Sequence, residues 1–276
     1  MMSTAPALRA YYRALLRAWG PQHWWPARTP FEVIIGALLT QNTAWGNVER
    51  ALANLRSARR LSVAGMRRIP SARLERLLRP AGYFRQKARR VKTFVAWLDA
   101  RYQGSLKRMF ARPTDQLRAE LLALNGVGPE TADSILLYAG GHPVFVVDAY
   151  TRRILERHRI LPANATYDQI RQSFEAALRG APEPRRMGRS PRHPASAMSS
   201  AELSPVARRY NEMHALLVAV GHKYCRKARA LCQGCPLAPF LPPGEKASRL
   251  IVLGEGVRSH RFAQESGHGA AGLRLR

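Results

Sequence analysis

The chain has 276 residues, 46% of them hydrophobic, and its 45 Lys and Arg against 18 Asp and Glu give a formal net charge of +27. That apolar content supports one or two compact domains and excludes a disordered polyelectrolyte, and no apolar run reaches the roughly 18 to 20 residues that a membrane-crossing helix needs. The charge points to a polyanionic partner, nucleic acid being the commonest; an arginine-rich composition without a binding role is the plain alternative.

Helical periodicity recurs along the chain and alternating strand patterns are scarce, so the expected fold class is all-α. The N-terminus is basic, with no acid before Glu32, as in an organelle transit peptide, but Leu8, Tyr11, Tyr12, Leu15, Leu16 and Trp19 form one helical stripe and are read as the first helix. Segments 31–40 and 45–56 read as a buried helix followed by an amphipathic one, and 85–102 as an amphipathic helix with a basic outer face. A helix over 114–124 is expected to be capped by Thr114, and one over 166–178 by a capping box of Thr166 and Gln169. Residues 180–204, rich in Pro, Gly, Ser and Arg, read as a mobile insertion, and the tail from 254 has a similar character. No internal repeat of fixed period is found.

Residues 124–128, Leu-Asn-Gly-Val-Gly, make a very short turn between two helical patterns. Glycines at 126 and 128 suit positive φ and a close approach of bare backbone to another molecule. Pro129 suits a first helical position, where its missing N–H would be unpaired anyway. A helix start preceded by free backbone N–H groups is an anion site, here expected to take a DNA phosphate; an ordinary helix–helix turn is the alternative. A helix over 129–138, the cluster Gly140, Gly141 and Pro143, and an apolar run at 144–147 lead to Asp148, which also suits an N-cap. The three cysteines all lie between 225 and 235, which fits a metal site in a reducing compartment better than a disulfide framework.

In this order the features resemble the helix-hairpin-helix (HhH-GPD) DNA glycosylase superfamily, whose signature is LxGVG, a second helix, a Gly/Pro-rich loop and an aspartate. LLTQNTAWGNVERAL (38–52), AGYFRQKA (81–88) and the cysteine cluster are similar to the endonuclease III branch, and the resemblance covers residues 5 to 240 apart from the stretch after 180. It implies a two-domain, endonuclease III-like fold: a helical barrel over 30–140, a second helical domain from 1–29 plus 141–253 with the cysteine loop, and a disordered tail at 254–276. It implies a DNA N-glycosylase of base-excision repair, a cytoplasmic, nucleoid-associated monomer that flips a damaged base out of double-stranded DNA. Asp148 is then the catalytic carboxylate, stabilising the cationic sugar or deprotonating the attacking water.

DNA contacts are expected from Gly126, Val127, Gly128, Gln41, Asn42, Arg85 and Lys87, with Arg226 and Lys227 of the cysteine loop, and Gln41 is the candidate wedge. Trp24, Trp25 and Trp45 are candidates for the base pocket, with core packing as the alternative. Electron-rich rings would favour a cationic alkylated purine, as in the 3-methyladenine glycosylase-like branch. Two positions depart from the pattern. Where bifunctional relatives carry a Schiff-base lysine this chain has Glu130, which cannot form an imine, so a monofunctional enzyme is expected. The alternatives are a bifunctional glycosylase and lyase with another amine, and a noncatalytic reader of damaged DNA. The family's C-x6-C-x2-C-x5-C pattern for a 4Fe-4S cluster is matched by Cys225, Cys232 and Cys235, but its fourth position is Leu241. An incomplete cluster, a zinc site completed by His222, and no metal all stay open.

Overall fold

The computed structural model describes residues 4–181 and 196–242, and no strand occurs among them. The helices are α1 (Thr4–Trp19), α2 (Pro30–Leu39), α3 (Trp45–Ser57), α4 (Val63–Arg68), α5 (Ser71–Leu78), α6 (Phe84–Tyr102), α7 (Leu106–Phe110), α8 (Thr114–Leu122), α9 (Pro129–Ser134), α10 (Ala149–Arg157), α11 (Tyr167–Leu178) and α12 (Pro205–Lys223). The helix after the hairpin does not stay α-helical to Tyr138 as its pattern suggests; a π-helical turn, Ile135–Ala139, follows α9. A π turn carries one extra residue and rotates the side chains beyond it.

Every residue of α2 from Phe31 to Leu39 is buried, so this helix lies inside the molecule, where a sequence apolar all round must lie. It packs on α3, α6, α9 and the π turn, while α5 packs on α3 and α6 and α4 on α6. At the other side α1 lies against α11 and α12, and α10 against α12; the π turn touches both α2 and α12. The α1 stripe holds: Leu8, Tyr11, Tyr12 and Leu15 are buried, with Leu16 and Trp19 packed at its edge. Burying a large apolar side chain contributes about 1.5–3 kcal/mol, so these contacts hold α1 far more firmly than helix propensity could.

The capping box of α11 forms as expected, Gln169 N–H donating to Thr166 Oγ1 at 3.2 Å and Thr166 N–H to Gln169 Oε1 at 2.8 Å. Thr114 does not cap α8. Pro113 occupies the N-cap, and the Thr114 hydroxyl instead meets His142 Nδ1 at 3.0 Å, pinning the Gly140–Pro143 loop. Of the expected mobile insertion, 182–195 lie outside the described residues, as does the tail from 254. Residues 196–203 are docked rather than loose: Ser196 Oγ donates to the Trp25 carbonyl at 2.8 Å and Met198 N–H to the Ala27 carbonyl at 3.2 Å, with Met198 and Leu203 packed on the core. Composition concealed this because the anchoring bonds come from a serine and the backbone.

Candidate active site

The turn 123–128 joins α8 to α9. Val127 N–H donates to the Leu124 carbonyl at 3.0 Å, and Ala132 N–H to the Gly128 carbonyl at 2.9 Å. Gly126 has φ 82°, a backbone conformation that favours glycine, and the Arg90 side chain lies over it, its Nε 2.2 Å from where a Cβ would sit. Gly128 is extended, and a Cβ there would meet nothing within 4 Å; its lack of a side chain bares the backbone instead of relieving a clash. Gln41 ties this turn to the end of α2: its Nε2 donates to the Gly126 carbonyl at 2.9 Å and to Thr131 Oγ1 at 3.0 Å, while its Oε1 accepts from Arg90. Neighbouring Asn42 is exposed at φ 52°.

Asp148 is the N-cap of α10, its Oδ1 accepting from Thr151 N–H at 2.7 Å. The apolar run leading to it is extended and buried without a partner strand, so its N–H groups need other acceptors. Phe145 N–H donates to Glu175 Oε1 at 3.0 Å and Val147 N–H to Tyr167 Oη at 3.2 Å. Arg171 bonds Glu175 and Asp168, and Arg118 links Asp168 to the fully buried Asp133 of α9 at 2.7 Å, so one ionic network spans α8, α9 and α11 behind the carboxylate. Asp148 Oδ2 lies 3.7 Å from His214 Nε2, and the other nitrogen of that imidazole is hydrogen-bonded to the Tyr138 hydroxyl. Burial pushes the His214 pKa down, the Asp148 charge opposing it, while burial pushes the Tyr138 hydroxyl well up.

Glu130, at the second position of α9, is coupled to the same carboxylate. Surrounding protein and then the Asp148 charge push its pKa up to about 7, Arg152 opposing. Its side chain is nonetheless exposed, and the water that reaches it limits the rise.

The three tryptophans come together, with ring centroids 5.0 Å apart for Trp25 and Trp45, 5.3 Å for Trp24 and Trp25, and 6.3 Å for Trp24 and Trp45. Tyr138 continues the cluster 5.1 Å from Trp25 and leads to His214 at 5.8 Å, so a run of ring contacts joins the tryptophans to the neighbour of Asp148. Gly36 makes room for it: a Cβ there would lie 3.3 Å from Trp25 and 3.7 Å from Trp45. The roles divide, because Trp25 is buried in the core while Trp24 and Trp45 are only half-buried.

Of the expected basic contacts, Arg85 is exposed beside Phe84, its guanidinium 5.8 Å from the ring. Lys87 must be corrected. It is 1% exposed, its Nζ donating to the Ala81 carbonyl at 2.7 Å, so it closes the turn before α6 and presents no charge to a phosphate. Sequence reasoning missed Tyr83, which is 67% exposed with φ 43° and stands in the same AGYFRQKA stretch. It also missed His214 and Tyr138, whose apolar surroundings in the sequence signal core.

In the cysteine loop, Arg157 donates to Cys225 Sγ at 3.3 Å and to the Arg226 and Lys227 carbonyls at 2.8 and 3.2 Å, and Arg153 to the Cys225 carbonyl at 2.7 Å. Cys235 N–H turns back onto the Cys232 carbonyl at 3.0 Å. Burial pushes the Cys235 thiol up to about 11, with the neighbouring cysteines adding to the rise and the Leu237 and Ala238 amides opposing it. Leu241 is buried at the fourth position, and among the described residues no group of three or more His, Cys, Asp or Glu is arranged to hold a metal ion. The donors present therefore do not fit a four-thiolate cluster. Nor does His222 complete a zinc set, being exposed and packed against Tyr150 at 6.1 Å.

Comparison with known proteins bears on the family and the fold. The family model described as HhH-GPD superfamily base excision DNA repair protein matches residues 35–179. A putative DNA repair glycosylase of Methanocaldococcus jannaschii is 41% identical over 231 residues, 83% of this chain and 93% of that protein. The H. pylori 3-methyladenine DNA glycosylase bound to 1,N6-ethenoadenine superposes with a TM-score of 0.61 at 27% identity, covering 79% of this chain and 96% of its own. Endonuclease III in a trapped covalent complex with DNA shares the fold, with a TM-score of 0.67 at 20% identity over 90% of this chain and all of its own. With the glycine hairpin, the helix-capping aspartate and the helical fold in place, the chain belongs to the HhH-GPD superfamily of base-excision DNA repair proteins and is a DNA glycosylase.

Proposed function

We propose that the protein is a monofunctional DNA glycosylase that removes a cationic alkylated purine from duplex DNA, using water as the nucleophile. The observation that carries the reading is the pairing of Asp148 with Glu130, where bifunctional relatives would present a lysine. The flipped base stacks against Trp24 and Trp45. The Trp45 Nε1–H is buried with no hydrogen-bond partner, a donor that a base acceptor can satisfy. An N-alkylated purine leaves as a neutral base once the glycosidic C–N bond breaks, so the leaving group needs no acid. Positive charge grows on the sugar, and the Asp148 carboxylate stabilises it while taking the proton of the water that adds to C1′. The products are the free base and an intact abasic strand.

The helices sort into two lobes, one around α2 and α6 and one around α1, α10, α11 and α12, with the carboxylate and aromatic wall between them and DNA lying across. Hairpin amides at 126–128 and Arg85 meet phosphates, so binding weakens steeply with salt. Tyr83 is the better wedge: it stands out into solvent, whereas Gln41 is fastened by three partners and serves to hold the hairpin. The protein acts as a monomer. The cysteine loop, lacking a fourth donor, takes no part in the chemistry.

The test is a single-turnover assay on duplexes carrying alkylated adenine, oxidised pyrimidine, uracil or mismatched thymine, with and without alkali and with borohydride. Release of alkylated adenine, strand breakage only after alkali and no trapped adduct are expected. Breakage without alkali, or an adduct, would overturn the monofunctional reading. Binding without release on any substrate would favour a noncatalytic reader of damage.

A further inference from the structure

We propose that His214 is the positioning residue for Asp148: a neutral imidazole with its proton on Nε2, fixed by the Tyr138 hydroxyl, that holds the second oxygen of the carboxylate. The proposal rests on the reading of Asp148 as the catalytic carboxylate, but its geometry is independent of which base is removed.

The tautomer follows from the donors around the ring. Tyr138 is 4% exposed and its hydroxyl hydrogen needs an acceptor; His214 Nδ1 stands at hydrogen-bond distance and provides one, so the hydroxyl donates there. A neutral imidazole that accepts at Nδ1 carries its hydrogen on Nε2. That atom is buried, makes no hydrogen bond among the described residues and lies 3.7 Å from Asp148 Oδ2. At this distance N–H and carboxylate make a charge–dipole contact longer than a hydrogen bond. The opposite tautomer would turn the Nε2 lone pair toward a carboxylate.

The surroundings keep the ring neutral. His214 is 5% exposed. The polar groups facing it are Tyr138 from the π turn and Asp148 from the start of α10, with Phe145 as an apolar wall 6.3 Å away; Glu130 acts through Asp148. Burial outweighs Asp148 in setting the His214 pKa, which is lowered. Thr151 N–H already holds Oδ1, so with His214 at Oδ2 both oxygens are set in direction before DNA arrives. Tyr138, its ring 5.1 Å from Trp25, and His214 also join the tryptophans to the carboxylate.

Long-range proton–nitrogen NMR of the full chain, with His214→Gln for assignment, reads the tautomer directly. The expected result at pH 7 is a neutral ring protonated on Nε2, and in Asp148→Asn a titration moved to lower pH, since the charge that opposes burial is gone. A ring protonated on Nδ1, or an imidazolium at pH 7, overturns the proposal. This arm needs no substrate, so it can fail or succeed separately from the glycosylase reading. In the excision assay, His214→Leu is expected to lose about ten-fold in rate and to move the acid limb of the pH profile up by about one unit. His214→Gln, which keeps an N–H near Nε2, should recover most of the rate and the original profile. Equal losses in both variants with an unmoved profile would reduce His214 to a packing residue.

Discussion

The two ends of α10 are held in different ways. At its N-terminus Asp148 is fixed by hydrogen bonds and one charge–dipole contact that fall on it or on the backbone before it. The Thr151 amide holds one carboxylate oxygen, Glu175 and Tyr167 accept from the preceding N–H groups, and His214 faces the other oxygen. At its C-terminus Arg153 and Arg157 reach to carbonyls and one sulfur of the cysteine loop, contacts made mainly to backbone. The first arrangement sets the direction of a carboxylate, whereas the second only tethers a loop. A buried acceptor system with no slack preorganises charge, and that is what catalysis at a developing cation requires. A tether to carbonyls tolerates change in the side chains of the loop it holds, Leu241 among them.

The largest difference between the two ends should emerge from Asp148→Asn. Asparagine caps helices as well as aspartate does, so the fold should survive while the single-turnover rate falls by about 10²–10⁴-fold. A fall in melting temperature of similar weight would mean that the cap mattered and the charge did not. Glu175→Ala tests the support behind the site: it leaves Phe145 N–H without an acceptor and takes from Arg171 one of its two carboxylate partners, with an expected loss of about 2–3 kcal/mol in urea unfolding.

A smaller effect is expected from Glu212, buried on α12 with the Gln22 N–H as its bond at 2.7 Å, whose pKa burial pushes up to about 7. Its folded pKa lies above its unfolded one, so its contribution is full below about pH 4.5 and is lost as pH rises through about 7. Glu212→Gln should remove that loss and stabilise the protein at pH 8 by about 1–3 kcal/mol, with little change at pH 4, read from urea unfolding at both. Arg157→Ala, at the other end of α10, is expected to cost no more than about 1 kcal/mol and to leave the excision rate unchanged. A rate loss there would show that the cysteine loop contributes to the site after all.

Much of the site was legible because it is local in the chain. The hairpin glycines, Pro129, Glu130 and Asp148 fall within a short stretch whose turn and cap chemistry can be read residue by residue. The tryptophans were legible as a group by proximity in sequence, but their division into a buried Trp25 and half-buried Trp24 and Trp45 was not, since exposure depends on what packs over them. Lys87 and Arg85, alike in the sequence as basic residues on one helix, part company because their different positions around that helix aim the first at the Ala81 carbonyl. His214 left no signal at all, because it lies 66 residues from Asp148 and its neighbours read as core.

Local pattern was enough for the helical class, the hairpin with its bare backbone and the helix-capping aspartate. All of these depend on interactions within a few residues, where the chain's own covalent geometry sets the outcome. It took the folded chain to put Tyr138 and His214 behind the carboxylate, to bind Gln41 to the hairpin, and to dock residues 196–203 on the segment beside Trp25. Those pairings join residues far apart in the chain, and long-range contacts are selected by burial and hydrogen-bond satisfaction of the whole core, which no local pattern encodes.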